Sequence, residues 1–209
     1  MKNIALKYTS DIAFTASVKA IQEKYHSRGS YARMEQRGGW NSEITPQLEN
    51  FLHIMDSFYF STANSDGQPY VQHRGGPRGF LKVLDHKTLA FADFSGNRQY
   101  ISTGNLSENN KAFIFLMDYP NKRRIKIWGK AKVIFDDKEL LSSLSDPSYN
   151  AHVERAIIFT VEAWDTNCPQ HIKQRFTQED ILEITEPLNK RIMELEETIK
   201  KMQYKQIKK

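Results

Sequence analysis

The sequence has a single cysteine, Cys168, among its 209 residues. One cysteine excludes an intrachain disulfide, which is typical of proteins from a reducing compartment, so we expect a cytoplasmic location. No apolar run approaches the roughly 20 residues of a membrane helix. The N-terminal stretch "MKNIALKYTSDIAF" also lacks the uninterrupted apolar core of a signal peptide. We therefore expect neither a membrane span nor a secretory leader.

The sequence also has little excess charge outside its last residues. The formal net charge is +5, and much of it lies in the stretch "KKMQYKQIKK". No groove motif of interleaved basic and aromatic residues is present, so a nucleic-acid binder ranks last among the functions we consider. A hydrophobic content of 39% and an aromatic content of 11% are typical of a globular fold.

The middle of the chain consists of short β runs separated by turn residues. The runs are "FYFSTA", "YVQHRG", "GFLKVL", "TLAFAD", "AFIFLMDY", "RIKIWGKAKVIF" and "RAIIFTVEAWD". Asp66 and Gly67 between the first two predict a hairpin. The short spacing of these six or seven strands favours an antiparallel sandwich or barrel over a series of βαβ units.

Helical patterns flank the β runs. Residues 10–26 have a loose helical spacing with Ser10 as a possible cap, and the following residues, up to Asn41, read as a polar connection. The stretch "TPQLENFLHIMD" predicts a helix, with Thr45 as the cap and Pro46 at the first helical position.

The C-terminal segment carries a heptad pattern. Thr177 and Asp180 form a predicted capping box, and Pro187 is expected to reset the helix. Apolar residues then follow at alternating steps of four and three: Leu188, Ile192, Leu195, Ile199 and Met202. This seam predicts a helix that pairs within a dimer or packs against the body of the protein, and we favour that over a membrane-surface role.

Two turns carry arginines. "HRGGPRG" places Arg74 and Arg78 around a Gly-Gly-Pro turn, and "DFSGNRQY" places Asn97 and Arg98 where a helix is expected to begin. A turn with surface arginines explains either one alone. Because consecutive strands usually pair, the two turns are expected at neighbouring ends of one sheet. Together they favour a ligand that carries a phosphate.

A third polar cluster, "AWDTNCPQHIKQRF", follows the last strand. Trp164, His171 and Arg175 are placed where a chain can lie across the mouth of a pocket. Cys168 and His171 supply only two ligands, so we expect no metal site. For Cys168 a packing role in a loop is favoured over a catalytic thiol.

The ordered set of motifs resembles the pyridoxamine 5′-phosphate oxidase-like family of FMN-binding split barrels. The resemblance is carried by "DSFYFSTANSDGQPYVQHRGGPRGFLKVLD", "TLAFADFSGNRQYISTGNLSENNKAFIFLMDY" and "RRIKIWGKAKV". It implies a six-stranded antiparallel Greek-key barrel in a homodimer, with FMN at the subunit interface. The expected division is an N-terminal helical segment packed on the barrel (1–56), the FMN-binding barrel (57–176) and a C-terminal helix (177–209).

The resemblance also implies roles for individual residues. Arg74, Asn97 and Arg98 would bind the FMN phosphate, and "GFLK" would continue the strand under the flavin. Gln99 stands where the true oxidases carry a phosphate-binding lysine, which Arg78 or Lys82 would replace. Alternation along its strand puts Arg124 on a polar outer face, and the resemblance places it near the flavin ring. The implied cofactor-binding residues are His73, Arg74, Arg78, Phe80, Lys82, Asp93, Asn97, Arg98, Gln99, Asn105, Arg124, Trp164, His171 and Arg175.

The chain departs from the true oxidases in the substrate region. Their Arg-Pro and serine pattern and their C-terminal arginine–x–histidine pair are missing, and "DPSYNAHVERA" and "CPQHIKQRF" stand in their place. We therefore expect an FMN-dependent oxidoreductase that transfers hydride on a small organic substrate, with NAD(P)H as a candidate donor, and not a pyridoxamine phosphate oxidase. Two alternatives stay open: a flavin- or haem-binding stress protein with little turnover, and a deazaflavin coenzyme in place of FMN.

Overall fold

The computed structural model describes residues 7–166 and 169–207, without the side chains of residues 205–207. Cys168 lies outside the described residues. The chain divides into two compact units, the first comprising Met1–Asp118 and Arg123–Pro169 and the second Tyr119–Lys122 and Gln170–Lys209.

The first unit is built on one antiparallel sheet of seven strands among the described residues. The strands are β1 (Ser57–Ala63), β2 (Pro69–Gly75), β3 (Lys82–Val83), β4 (Thr88–Phe94), β5 (Lys111–Asp118), β6 (Arg123–Ile134) and β7 (Val153–Thr166). Their hydrogen-bonded order is β2-β1-β5-β6-β7-β4-β3. The predicted hairpin joins β1 to β2, and Gly67 in its turn takes the positive φ of +86° that glycine tolerates best.

The sheet curves until its two halves face each other. Strands β1 and β4 are not hydrogen-bonded neighbours, yet Phe91 on β4 packs edge to face against Phe58 and Phe60 on β1, with ring centroids 5.0 and 5.5 Å apart. Arg74 on β2 forms an ion pair with Asp93 on β4. Since β3 has only two residues, six strands of full length form the barrel, and the predicted split barrel is confirmed.

Strand burial follows the sequence pattern. On β6, Ile125 and Ile127 point into the core, whereas Arg124 and Lys126 lie on the other face. Strand β4 is buried along most of its length because α5 (Lys138–Leu144) covers its outer face. A strand covered on both faces reads as a continuous apolar run, as "TLAFADF" does.

Four further helices belong to the first unit: α1 (Ala16–Lys24), α2 (Arg28–Gln36), α3 (Pro46–Ile54) and α4 (Ile101–Glu108). The cap predicted for α3 is confirmed, because the Thr45 hydroxyl accepts a hydrogen bond from the Leu48 amide at 3.3 Å and Pro46 opens the helix.

Two expectations for the N-terminal segment were wrong. The first helix begins at Ala16 with Thr15 as its cap, because Ser10 lies buried in a 3₁₀ turn, where its hydroxyl donates to Glu35 at 3.2 Å. The expected polar connection contains helix α2. Glu35 on α2 is buried and paired with Arg28, so buried polar contacts stabilise a helix that has no apolar stripe.

The second unit contains the 30-residue helix α6 (Gln178–Ile207). The predicted capping box is confirmed: the Asp180 amide donates to the Thr177 hydroxyl at 3.1 Å, and the Thr177 amide donates to the Asp180 carboxylate at 2.8 Å. The helix continues through Pro187, so the predicted reset there was wrong. This part of α6 is exposed, and water can satisfy the carbonyl that a proline leaves without a donor. No helix in the described part of the chain has the length and apolar character needed to cross a bilayer.

Candidate cofactor site

A polar pocket lies where β4 ends and α4 begins, beside β2 and the start of β7. Its volume is about 200 Å³. The residues that line this polar pocket are Tyr70, Gln72, Arg74, Asp93, Phe94, Gly96, Asn97, Arg98, Gln99, Tyr100, Ile101, Ser102, Thr103, Glu154 and Arg155. The structure thus brings together Arg74, Asp93, Asn97, Arg98 and Gln99, which the sequence placed in one site from two separate turns.

Asp93 is the centre of the charged cluster in this pocket. Its side chain is 8% exposed and lies between the guanidinium groups of Arg74 and Arg155. Arg155 is paired in addition with Glu154. Buried charges persist only when they are paired, so the carboxylate of Asp93 holds both arginines in place.

The pocket retains unused hydrogen-bond donors. Among the described residues, Nε of Arg74 is buried and has no hydrogen-bond partner. Nε of Arg155 lies 3.2 Å from a carboxylate oxygen of Asp93 but lacks the alignment of a hydrogen bond. A buried donor without a partner costs free energy unless a ligand or water satisfies it. An oxygen of an anionic ligand would satisfy both groups.

The turn into α4 presents further donors. Arg98 and Tyr100 have left-handed φ values of +59° and +55°, which are uncommon for residues other than glycine. Tyr100 occupies the N-cap position, and its side chain makes no cap hydrogen bond to the described part of the first helical turn. Ser102 and Thr103 from that turn line the pocket. Such a helix end attracts an anion.

Arg155 is the buried arginine of this pocket that sequence reasoning missed. It lies within the apolar run "RAIIFTV" on β7, where the periodicity indicated only a core strand. Its guanidinium lies 4.8 Å from the ring centroid of Tyr100 and 5.8 Å from that of Phe135. An arginine at the start of a buried strand requires a buried carboxylate, and Asp93 on the neighbouring strand was the available signal.

A second, apolar pocket lies at the other end of β7. Its volume is about 490 Å³. The residues that line this apolar pocket are Gln47, Leu48, Asn50, Phe51, Ile54, Arg123, Arg124, Ile125, Trp164 and Thr166. The indole nitrogen of Trp164 donates to the Glu43 carbonyl at 2.7 Å, which fixes the orientation of the ring.

The two arginines of the apolar pocket differ in their partners. Arg123 bonds to Asp118 through Nε at 2.7 Å, and its guanidinium lies 5.2 Å from the ring centroid of Phe51. Nε of Arg124 is buried and has no hydrogen-bond partner within the described ranges. Arg124 therefore has donor capacity to offer a ligand in an otherwise apolar cavity.

One ionisable group beside this pocket is perturbed. Burial raises the pKa of the Asp165 carboxyl above its ordinary value, and the Lys126 ammonium, 3.4 Å away, opposes the shift. Lys126 lies near the stacked rings of Trp40 and Trp128, whose centroids are 4.6 Å apart. This cluster anchors the N-terminal segment to β6.

The two pockets are far apart within one chain. Arg155 and Trp164 lie nine residues apart on β7, which corresponds to about 30 Å along an extended strand. The pockets share no lining residue. Arg124 and Trp164 therefore do not join Arg74, Asn97 and Arg98 in a single cavity of one chain.

The other predicted site residues line neither pocket. Phe80 is buried in the core and stacks on Phe58 with centroids 5.3 Å apart. Asn105 donates from its amide to the Thr62 hydroxyl at 3.0 Å, which ties α4 to β1. The remaining five are exposed, and a cofactor role for them stays a prediction: His73, Arg78 and Lys82 in the first unit, and His171 and Arg175 in the second.

No group of three or more His, Cys, Asp or Glu side chains suited to a metal ion occurs in the part of the chain that the structure describes.

His171 has a left-handed φ of +62°, and the guanidinium of Arg175 lies 4.9 Å from the ring centroid of Tyr119. The contact between Arg175 and Tyr119 is internal to the second unit.

Comparisons with known proteins identify the family. Among solved structures, HupZ from Group A Streptococcus is 16% identical with a TM-score of 0.46 and covers 64% of this chain and 99% of its own. An FMN-binding protein from Syntrophomonas wolfei is 12% identical with a TM-score of 0.45, and the match covers 73% of this chain and 98% of that protein. A Clostridium acetobutylicum protein related to general stress protein 26 is 18% identical with a TM-score of 0.42, and the match covers 64% of this chain and 98% of that protein. No curated protein matches. The family model described as pyridoxamine 5′-phosphate oxidase matches residues 44–185, which is more than half of the chain, and the protein therefore belongs to that family.

Proposed function

We propose that the protein binds FMN and acts as an oxidoreductase on a small organic substrate. The observation that carries this proposal is the polar pocket. There, among the described residues, the buried Nε of Arg74 lacks a partner and the start of α4 lacks a side-chain cap. Membership of the family gives the proposal its general class, a flavin-binding, oxidoreductase-like protein.

The donors of the polar pocket fit a phosphate. Three arginines and two carboxylates line the pocket, which leaves one uncompensated positive charge. Arg74 and Arg155 share Asp93, whereas Arg98 has no ion-pair partner among the residues that the structure describes. Arg98 would supply the charge, and Nε of Arg74, the Asn97 amide and the start of α4 would supply hydrogen bonds.

The apolar pocket fits a flat aromatic ring. Phe51, Ile125 and Trp164 supply an apolar lining, and Trp164 is held by its bond to Glu43. FMN, when bound, supplies a ring system that accepts and donates a hydride. Arg124 beside such a ring would favour its negatively charged reduced form and raise its reduction potential.

The site would need two copies of the chain. A ligand with a phosphate at one end and a ring at the other cannot use both pockets of one chain, because about 30 Å of β7 separates them. In a homodimer, the polar pocket of one copy can face the apolar pocket of the other. The incompleteness of each pocket alone supports the expected dimer with FMN at the interface.

The substrate would differ from that of the true oxidases. The chain lacks their Arg-Pro and serine pattern and their arginine–x–histidine pair, so we expect no oxidation of pyridoxamine phosphate. NADH or NADPH is the proposed electron donor. The apolar pocket is concave and has a few polar groups in an apolar lining, which suits a small organic molecule.

The test is an absorption spectrum of the purified protein followed by titration with FMN and with riboflavin, which lacks the phosphate. We expect flavin bands and a clear preference for FMN, and we expect Arg98→Ala to reduce that preference. Anaerobic addition of NADH or NADPH should then bleach the bands. A colourless protein that does not bind added FMN would overturn the proposal.

A further inference from the structure

Helix α6 carries an apolar stripe that the structure leaves in contact with solvent. Its five members are 45–59% exposed: Leu188, Ile192, Leu195, Ile199 and Met202. They lie one above another over four helical turns, because steps of three and four residues return to the same face. A contiguous apolar stripe of this kind on a long helix marks an interaction surface.

The identity of the apolar residues indicates what the stripe binds. In the heptad repeat, written abcdefg, Ile192 and Ile199 occupy position a. Leu188, Leu195 and Met202 occupy position d. β-Branched residues at position a, combined with leucine at position d, favour parallel two-stranded coiled coils. A homodimeric coiled coil needs no partner other than a second copy of the same helix.

The charges beside the stripe agree with a parallel arrangement. Arg191 falls at a g position and bonds to Glu194 of its own helix at 3.0 Å. In a parallel pair it would also lie near Glu196 of the other copy, which falls at the following e position. The lysines Lys200 and Lys201 fall at b and c positions, away from the seam. Lys201 already bonds to Glu197 at 3.0 Å on that outer face.

We propose that α6 pairs with α6 of a second copy as a parallel, in-register coiled coil from Leu188 to Met202. A seam of this length is short for an isolated pair of helices. The barrel to which α6 is joined is itself proposed to dimerise, which would raise the effective concentration of the second helix. The pairing therefore rests in part on the proposed dimer of the barrel, but no seam residue lines either pocket, so cofactor binding is tested separately.

Cysteine cross-linking of the full-length protein tests the pairing. In a Cys168→Ser background, Leu188→Cys, Leu195→Cys and Met202→Cys each place a thiol at a d position. Lys190→Cys, at the outward f position, is the matched control. In a parallel pair each d-position thiol lies within disulfide reach of its counterpart, so mild oxidation should cross-link most chains of all three variants. The control should cross-link at least tenfold less.

The pattern of cross-links also identifies the alternatives. An antiparallel pair would cross-link at no more than one of the three d positions, and packing on the helix's own barrel would cross-link none. Either pattern would overturn the proposal. Adding Ile192→Asp to the Leu195→Cys variant should reduce cross-linking at least tenfold, whereas Met193→Asp, at an outward b position, should not. FMN titration of the same variants should be unchanged, which separates a failure here from a failure of the flavin site.

Discussion

The polar and apolar pockets at the two ends of β7 differ in the surroundings of their arginines. In the polar pocket, the carboxylate of Asp93 is shared by two buried arginines, and Arg98 on a left-handed turn adds a further positive charge. In the apolar pocket, Arg124 is set among Phe51 and Trp164. The first is suited to an anionic group and the second to a flat apolar ring with one polar edge. The proposed ligand, flavin mononucleotide, has both features.

The difference predicts where substitutions act. A change in the polar pocket removes a partner from buried ions, so it should affect folding and phosphate binding. Loss of the Arg124 charge from the apolar pocket should affect the electronic properties of the ring more than its affinity, whereas added bulk in that pocket should block the ring. The following predictions test that division, from the largest expected effect to the smallest.

Replacing the carboxylate between the two arginines should have the largest effect. Asp93→Asn leaves Arg74 and Arg155 buried without their shared counter-charge, and we expect the free energy of unfolding to fall by about 3–5 kcal/mol. Denaturant titration of the purified variant measures it. Asp136→Asn, at an exposed position, is the control and should stay within about 0.5 kcal/mol of the parent. A loss below about 1 kcal/mol for Asp93→Asn would contradict the account of the cluster.

Removing the Arg98 guanidinium from the polar pocket should weaken FMN binding. Arg98→Ala loses a charge-assisted hydrogen bond to the phosphate, which corresponds to about 1.5–3 kcal/mol of binding free energy. Fluorescence titration with FMN measures the change. Arg37→Ala, also exposed but outside both pockets, should bind FMN like the parent. An unchanged dissociation constant for Arg98→Ala would remove Arg98 from the phosphate site.

Removing the cation of the apolar pocket should change the reduction potential. Arg124→Gln eliminates a positive charge beside the ring, so the potential of bound flavin should fall by roughly 30 mV, equivalent to about 1.4 kcal/mol for two electrons. Spectroelectrochemical titration of the FMN complex measures it, with Lys132→Gln as a distant control. A potential equal to that of the parent would place Arg124 away from the ring.

The smallest effect concerns pH and Asp165, which adjoins Trp164. Because burial raises its pKa in the folded state, the folded protein holds this proton more tightly than the unfolded chain does. The resulting stabilisation is present below about pH 3.9, the ordinary value, and is lost as the pH rises through the raised pKa. Asp165→Asn removes this dependence, so the variant should gain stability relative to the parent as the pH increases from the ordinary pKa of an aspartate through the raised pKa of Asp165. Denaturation at several pH values measures it, and a constant difference would contradict the assignment.

The sequence was sufficient for much of the fold and for five of the fifteen residues that line the polar pocket. Turn residues such as Gly67 and the helix cap at Thr45 act locally, so their roles can be read from neighbouring residues. Asn97 and Arg98 were found in the same way, because they belong to a turn at the start of a helix.

The remainder depends on contacts between distant residues. Arg155 meets Asp93 only because β7 lies beside β4, and nothing in the run "RAIIFTV" indicates that neighbour. Helix α2 lacks an apolar stripe and is stabilised by Glu35, which pairs with Arg28 and accepts from Ser10 in an earlier turn. The separation of Arg124 from Arg98 follows from the length of β6 and β7, which local patterns do not reveal.

Subunit complementation tests the central claim most directly, namely that FMN uses the polar pocket of one copy and the apolar pocket of the other. Arg98→Glu disables the first pocket, and Ile54→Trp adds bulk at the second; each homodimer alone should bind FMN poorly. When the two variants are co-expressed, half of the dimers are mixed and hold one intact site, so about one site in four should bind FMN with parental affinity. A co-expressed sample that binds no more FMN than the two variants separately would contradict the claim.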